Sequence, residues 1–191
     1  MRIFITGGCK NGKSTIARRL AVQLSRQKSG SLGFEGAIPL YFVATMIPTG
    51  AEDDERITHH RAERAGDGFV TLERHVNISQ VLSEVEFGSV LLLDSLTALM
   101  QNEMFRGDFV DYDAHRRVMP QLERLIYGSA NIVIVSDFIF ADAERYDAVT
   151  ERYRECLAAL DRRAAECCDV VLEVASAQII IHKGDLQEVK L

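Results

Sequence analysis

A glycine-rich segment near the N-terminus is the first part of this chain that predicts chemistry. It reads Gly7-Gly8-Cys9-Lys10-Asn11-Gly12-Lys13-Ser14. A glycine followed by four residues and then Gly-Lys-Ser is typical of a phosphate loop, whose backbone N–H groups surround nucleotide phosphates. We expect Lys13 to act on the β and γ phosphates and Ser14 to bind Mg²⁺. Cys9, Lys10 and Asn11 belong to this nucleotide-binding loop, but the motif leaves their side chains open. The alternative is a glycine-rich turn before a helix.

A phosphate loop requires a second magnesium ligand, and Asp94 is the candidate. It ends the apolar run Val90-Leu91-Leu92-Leu93, as the acidic residue of a nucleotide-binding strand does. The alternative is that Asp94 caps the N-terminus of a helix over Ser95–Met104.

A third group of reactive side chains lies between these two motifs. Arg56, His60 and Arg64 are spaced four residues apart, so on a helix they share one face, whereas His59 points about 100° away. Flanking guanidinium groups keep an imidazole neutral and nucleophilic and can hold phosphate oxygens. The pattern permits a histidine that attacks a nucleotide phosphate, with a solvated charged helix face as the alternative.

The elements that must position these residues alternate between two types. Short β-branched apolar runs are separated by longer segments with helical spacing, which predicts an α/β fold with a mostly parallel sheet and helices on both faces. We expect strands at Ile3–Thr6, Leu40–Thr45, Phe69–Glu73, Val90–Asp94, Asn131–Ser136, Val170–Val174 and Gln178–His182. We expect helices at Ser14–Gln27, Asp54–Arg64, Ile78–Val85, Ser95–Met104, Asp111–Tyr127 and Ala143–Cys167.

Composition narrows the class of protein. The 191 residues favour one domain over residues 1–191, and the net charge of −6 disfavours nucleic-acid partners. No apolar run approaches the roughly 20 residues of a membrane span, and the N-terminus lacks the pattern of a secretory signal. We therefore expect a cytoplasmic location and four reduced cysteines, with Cys167 and Cys168 at a helix end that faces the core.

Several motifs taken in order resemble the bifunctional adenosylcobinamide kinase and adenosylcobinamide-phosphate guanylyltransferase family of cobalamin biosynthesis. They are Ile5-Thr6-Gly7-Gly8 leading into Gly12-Lys13-Ser14, Val43-Ala44-Thr45, Arg56-Ile57-x-x-His60 with Arg64, and Leu93-Asp94-Ser95-Leu96-Thr97 with Asn102. The resemblance covers most of the first 105 residues.

The resemblance implies a RecA-like P-loop sheet, a homotrimer and two reactions. ATP or GTP phosphorylates the hydroxyl of adenosylcobinamide, and a histidine at the position of His60 then takes GMP from GTP and passes it to that phosphate. Lys13 and His60 are thus the candidate catalytic residues. Two simpler functions remain open on the residues alone: a P-loop kinase for another acceptor, and a non-catalytic nucleotide-responsive binding protein.

The later part of the chain departs from the family pattern. Where the family carries Asn-Glu-Val-Gly after a strand, this chain has Asp137-Phe138-Ile139-Phe140. Where the family carries Arg-Asp and then Gly-x-x-Asn-Gln, it has Tyr153-Arg154-Glu155 and Ala159-Leu160-Asp161-Arg162.

Overall fold

The fold is known from a computed structural model that describes residues 1–27, 38–48, 50 and 64–186. A seven-stranded sheet forms its centre, in the order β3-β2-β4-β7-β1-β8-β9. All neighbouring strands in it are parallel except β8 and β9. The strands are β1 Arg2–Gly7, β2 Leu40–Ala44, β3 Phe69–Glu73, β4 Val90–Asp94, β7 Asn131–Val135, β8 Val170–Ala175 and β9 Gln178–Lys183.

Helices cover both faces of this sheet. Helix α1 (Lys13–Gln27) packs on the face that carries Ile3 and Ile5 of β1. Three helices and a 3₁₀ helix, Ile78–Ser83, pack on the opposite face with Phe4. The three are α2 Leu96–Met104, α3 Ala114–Gly128 and α4 Ala148–Cys167.

Burial on both faces explains why the central strands read as continuous apolar runs. Every residue of β7 is buried, as are the first four of β2 and β4. The edge strands β3 and β9 are mostly exposed. The predicted α/β architecture is therefore confirmed, and β7 lies between β1 and β4, as in the RecA-like arrangement.

Three elements differ locally from the predicted ones. Helix α4 begins at Ala148 rather than Ala143, because the Asp147 side chain caps it by accepting the N–H groups of Val149 and Thr150. Helix α3 begins at Ala114 rather than Asp111. Residues Phe105–Arg106 and Phe109–Val110 form an unpredicted antiparallel pair, β5 and β6, where the Asp111 N–H donates to the Met104 carbonyl.

Two further sequence predictions can be compared with these elements. Cys167 ends α4 and is buried together with Cys168, as expected. No helix among the described residues is long and apolar enough to cross a membrane. The predicted helix over Asp54–Arg64 lies outside the described residues except for Arg64.

Candidate active site

The phosphate loop joins β1 to α1 at the carboxyl edge of the sheet. Gly7 has φ of 146°, and a Cβ there would lie 2.3 Å from the Val174 carbonyl oxygen of neighbouring β8. Only glycine suits this close approach of two backbones. Gly12, with φ of 86°, turns the chain into α1. The loop that the motif predicts therefore has the backbone that such a loop requires, and it ends at a helix N-terminus, where anions bind.

Lys13, the lysine of this motif, is held inside the loop. Its side chain is only 6% exposed, and its Nζ donates to the Gly8 carbonyl oxygen at 2.7 Å. The same Nζ lies 2.8 Å from Oδ1 of Asp137, two residues beyond the end of β7. A buried ammonium requires such a partner, because burial of an unpaired charge is costly. The Lys13 ammonium group is therefore already in position to bind an anion, and the Asp137 carboxylate occupies the place of that anion.

Ser14 and Asp94, the two candidate magnesium ligands, line one cleft. Its other lining residues are Thr15, Arg18, Phe42, Arg64 and Leu92. A hydroxyl and a carboxylate are oxygen ligands of the kind that Mg²⁺ prefers, and this ion usually completes its shell with water and substrate phosphates. Among the described residues no group of three or more His, Cys, Asp or Glu side chains could hold a metal by itself. The cleft thus fits a cation shared with a nucleotide.

The alternative role of Asp94 as a helix cap belongs instead to its neighbour. Ser95 is the N-cap of α2, and its side chain accepts the Ala98 N–H at 3.3 Å. The Asp94 side chain is therefore not required to begin the helix.

The stripe of Arg56, His60 and Arg64 is represented among the described residues by Arg64. Its guanidinium lies over the Phe42 ring, 3.6 Å from the centroid, which is a cation–π contact that fixes the side chain against β2. Because Arg64 also lines the cleft of Ser14 and Asp94, the stripe ends at the candidate phosphate site. Arg56 and His60 lie outside the described residues.

Three polar residues of the motifs hold the ends of β2 and β4 together. The buried Thr45 hydroxyl accepts the Ser95 N–H at 2.7 Å and donates to the Ser95 carbonyl at 2.8 Å. The Asn102 amide donates to the carbonyls of Thr45 and His75, at 2.7 and 3.1 Å. These residues brace the backbone beside Asp94.

The segment after β7 is fastened to the loop from the other side. The Asp137 N–H donates to Thr97 Oγ1 at 2.8 Å, and the Phe138 N–H donates to the Gly7 carbonyl at 2.9 Å. The Tyr153 hydroxyl of α4 donates to the Thr97 carbonyl at 3.0 Å. Asp137 thereby becomes part of the site.

Two titratable groups behind Asp137 have shifted pKa values. Burial raises the pKa of Asp161 to about 7; the Ser136 hydroxyl opposes this shift, and the charge of Asp137 adds to it. Burial, together with the charges of Asp137 and Asp161, also raises the pKa of Tyr153, so its phenol is protonated at neutral pH. The carboxyl of Asp161 therefore exchanges its proton near physiological pH.

Comparison with known proteins identifies the family. The model of the CobU family, described as cobinamide kinase / cobinamide phosphate guanyltransferase, matches residues 3–180. The chain belongs to this family. It is also 30% identical over 186 residues to the bifunctional adenosylcobalamin biosynthesis protein CobP of Pseudomonas aeruginosa, covering 97% of this chain and 99% of that protein.

Similarity to solved structures is weaker than this family match. A KaiC-like protein from Pyrococcus horikoshii OT3 gives a TM-score of 0.49 at 14% identity, covering 96% of this chain and 79% of that one. A second protein from the same organism, from a structural study, gives 0.47 at 9% identity, covering 98% and 88%.

The resemblance to this family that the motifs predict is thus confirmed, and the structure adds Asp137 as a candidate site residue that the motifs do not predict. In the sequence, Asp137 is only a departure from the family pattern. The sequence holds a signal: Asp137 lies two residues after the fully buried strand β7, and Asp94 is the last residue of the apolar strand β4. Its importance depends on the pairing of β7 with β1, which brings it to Lys13.

Proposed function

We propose that this CobU-family chain catalyses two successive reactions of cobalamin biosynthesis. It transfers the γ phosphate of ATP or GTP to the hydroxyl of adenosylcobinamide, and it then transfers GMP from GTP to the resulting phosphate. The observation that carries the proposal is the family match over residues 3–180 on a chain whose phosphate loop is complete, with a buried Lys13.

Mg²⁺ would be held by the Ser14 hydroxyl and the Asp94 carboxylate, which line one cleft. When bound, this ion neutralises charge that builds up on the phosphates. Lys13 binds the β and γ phosphates from the floor of the loop. The remaining loop residues, Gly7 to Gly12, bind the phosphates through their backbone.

The second reaction would proceed through a guanylylated histidine. The neutral ring of His60 attacks the α phosphorus of GTP, a nitrogen–phosphorus bond forms, and pyrophosphate leaves. The acceptor phosphate then attacks the same phosphorus and releases the histidine. The guanidinium groups of Arg56 and Arg64 offset negative charge in both displacements.

The location of Arg64 supports this role for His60. Arg64 lines the cleft beside Ser14 and Asp94, and His60 precedes it by only four residues. Four residues of chain span at most about 14 Å, so the connection to Arg64 allows His60 to reach the phosphate site. The cytoplasmic location and the homotrimer remain predictions.

The covalent intermediate is tested with GTP labelled at the α phosphate. Wild-type protein with Mg²⁺ should acquire an acid-labile label that His60→Ala abolishes and the adjacent His59→Ala retains. Absence of label in wild-type protein that binds GTP would refute the guanylyltransferase mechanism. In parallel, loss of the γ phosphate that depends on adenosylcobinamide tests the kinase reaction and separates an enzyme from a nucleotide-responsive binding protein.

A further inference from the structure

The carboxylate of Asp137 lies directly on the ammonium group that must bind the γ phosphate. Oδ1 is 2.8 Å from Lys13 Nζ. The Lys13 side chain is 6% exposed, so solvent cannot replace Asp137 as the partner of its ammonium group. The Asp137 side chain is 32% exposed and is therefore accessible to a ligand from solvent. An incoming γ phosphate therefore meets an anion already bound to its lysine.

Two backbone hydrogen bonds fix the position of Asp137. Its own N–H is bound by Thr97 of α2, and the next N–H is bound by Gly7 of the phosphate loop. These two hydrogen bonds hold the carboxylate within one side chain's reach of the loop. Displacement from Lys13 requires only rotation of the Asp137 side chain, because the backbone N–H groups of Asp137 and Phe138 stay bound to Thr97 and Gly7.

Asp94 and Asp137, two acidic residues in the described part of the site, differ in their surroundings. Asp94 shares a cleft with Ser14, the hydroxyl that accompanies magnesium, and with the cationic Arg18 and Arg64. Asp137 contacts the lysine instead. Phosphoryl transfer requires both a metal ligand and a group that positions the attacking hydroxyl and takes up its proton. Among the described residues, Asp94 suits the first task and Asp137 the second.

We infer that Asp137 is a catalytic residue of the phosphoryl transfer to the alcohol acceptor. The inference rests on the kinase reaction proposed above. The γ phosphate replaces the carboxylate on Lys13, and the released carboxylate accepts a hydrogen bond from the acceptor hydroxyl. As the acceptor oxygen bonds to the γ phosphorus, the bond from that phosphorus to the β–γ bridging oxygen breaks. The hydroxyl proton passes to Asp137, and the nucleoside diphosphate leaves with the bridging oxygen.

The test compares Asp137→Asn with wild type in three assays. We expect kcat for phosphorylation of adenosylcobinamide to fall at least about 100-fold, the usual contribution of a positioned proton acceptor. Triphosphate binding should be equal or tighter, because an anion that competes for Lys13 has been removed. Labelling of His60 by GTP should persist within about threefold, because that step needs no proton from an alcohol. Asp142→Asn, in the same irregular segment, is the matched control and should keep all three activities.

A chemical rescue separates catalysis from a structural effect. Asp137→Ala should regain part of its kcat when formate is added, because a small carboxylate can occupy the vacated space. Formate should give no gain in wild type.

Two outcomes would overturn the inference. Asp137→Asn phosphorylating within about threefold of wild type would show that the carboxylate is only a counterion of Lys13, and the kinase proposal would stand. Wild type that binds triphosphate but never phosphorylates the acceptor would refute the kinase proposal and the Asp137 role together.

Discussion

The phosphate loop is flanked by two segments that satisfy their polar groups differently. Beside β4, the polar groups of the buried Thr45 and of the half-buried Ser95 and Asn102 pair through neutral hydrogen bonds. Beyond β7, Lys13 is paired with Asp137, and burial together with the negative charge of Asp137 raises the pKa of Asp161. The first segment carries the family's motifs, and the second departs from them.

This difference separates two physical roles. Hydrogen bonds among hydroxyl, amide and backbone groups hold a backbone at any pH between about 5 and 8, because these groups do not titrate there. Charged groups in a partly buried site respond to protons and to ligands. We therefore expect the hydrogen bonds of the Thr45 hydroxyl to contribute the same stability at each pH. We expect Asp137 and Asp161 to determine how stability and activity depend on pH and on bound ligand.

The largest expected effect comes from Asp161→Asn. Burial raises the pKa of Asp161 from an ordinary value of 3.8 to about 7. Between these values the folded protein keeps a proton that the unfolded chain has released. The stability of wild type should therefore fall as the pH rises from about 4 to about 7, by up to about 4 kcal/mol.

The amide of Asp161→Asn carries no charge to bury, so the variant should be more stable than wild type at pH 8 and nearly equal at pH 4. Urea unfolding at several pH values measures this. The exposed Asp108→Asn is the control and should follow wild type at every pH. If wild type loses no stability between about pH 4 and pH 7, the segment beyond β7 does not respond to pH through Asp161.

Thr45→Val should lower the free energy of unfolding by a smaller amount, and by the same amount at each pH. It keeps the shape of the side chain but removes the hydroxyl that pairs both backbone groups of Ser95, at a site with no solvent access. Unpaired buried groups cost about 1–3 kcal/mol each, so we expect a loss of about 2–3 kcal/mol.

Urea unfolding at pH 5.5 and pH 8 should give the same loss for Thr45→Val. Thr71→Val on the exposed edge strand β3 makes the same chemical change where water can replace the hydroxyl, and it should be nearly neutral. A loss that changed by more than about 1 kcal/mol between the two pH values would show that this network is coupled to a titrating group.

The sequence predicted one flank of the site better than the other, for a physical reason. The phosphate loop, Asp94 and the strands depend on local spacing and on runs of apolar residues, which are visible along the chain. Strands β3 and β4 begin and end at the predicted residues. Asp137 and Asp161 gain their importance from contacts between distant elements, such as the pairing of β7 with β1, and from burial. Neither the spacing of residues along the chain nor the amino-acid composition predicts such contacts.

Tyr153→Phe should have the smallest effect and tests whether the two flanks communicate. The Tyr153 hydroxyl donates to the Thr97 carbonyl, and the Thr97 hydroxyl in turn accepts the Asp137 N–H. Removal of one neutral hydrogen bond should cost about 1 kcal/mol in urea unfolding. Because Thr97 lies in the first turn of α2 and also holds Asp137, we expect kcat for phosphorylation to fall severalfold, while nucleotide binding stays unchanged. Tyr112→Phe, at an exposed tyrosine just before α3, is the matched control and should change neither quantity. A stability loss in Tyr153→Phe with unchanged kcat would mean that α4 supports the fold but does not position Asp137.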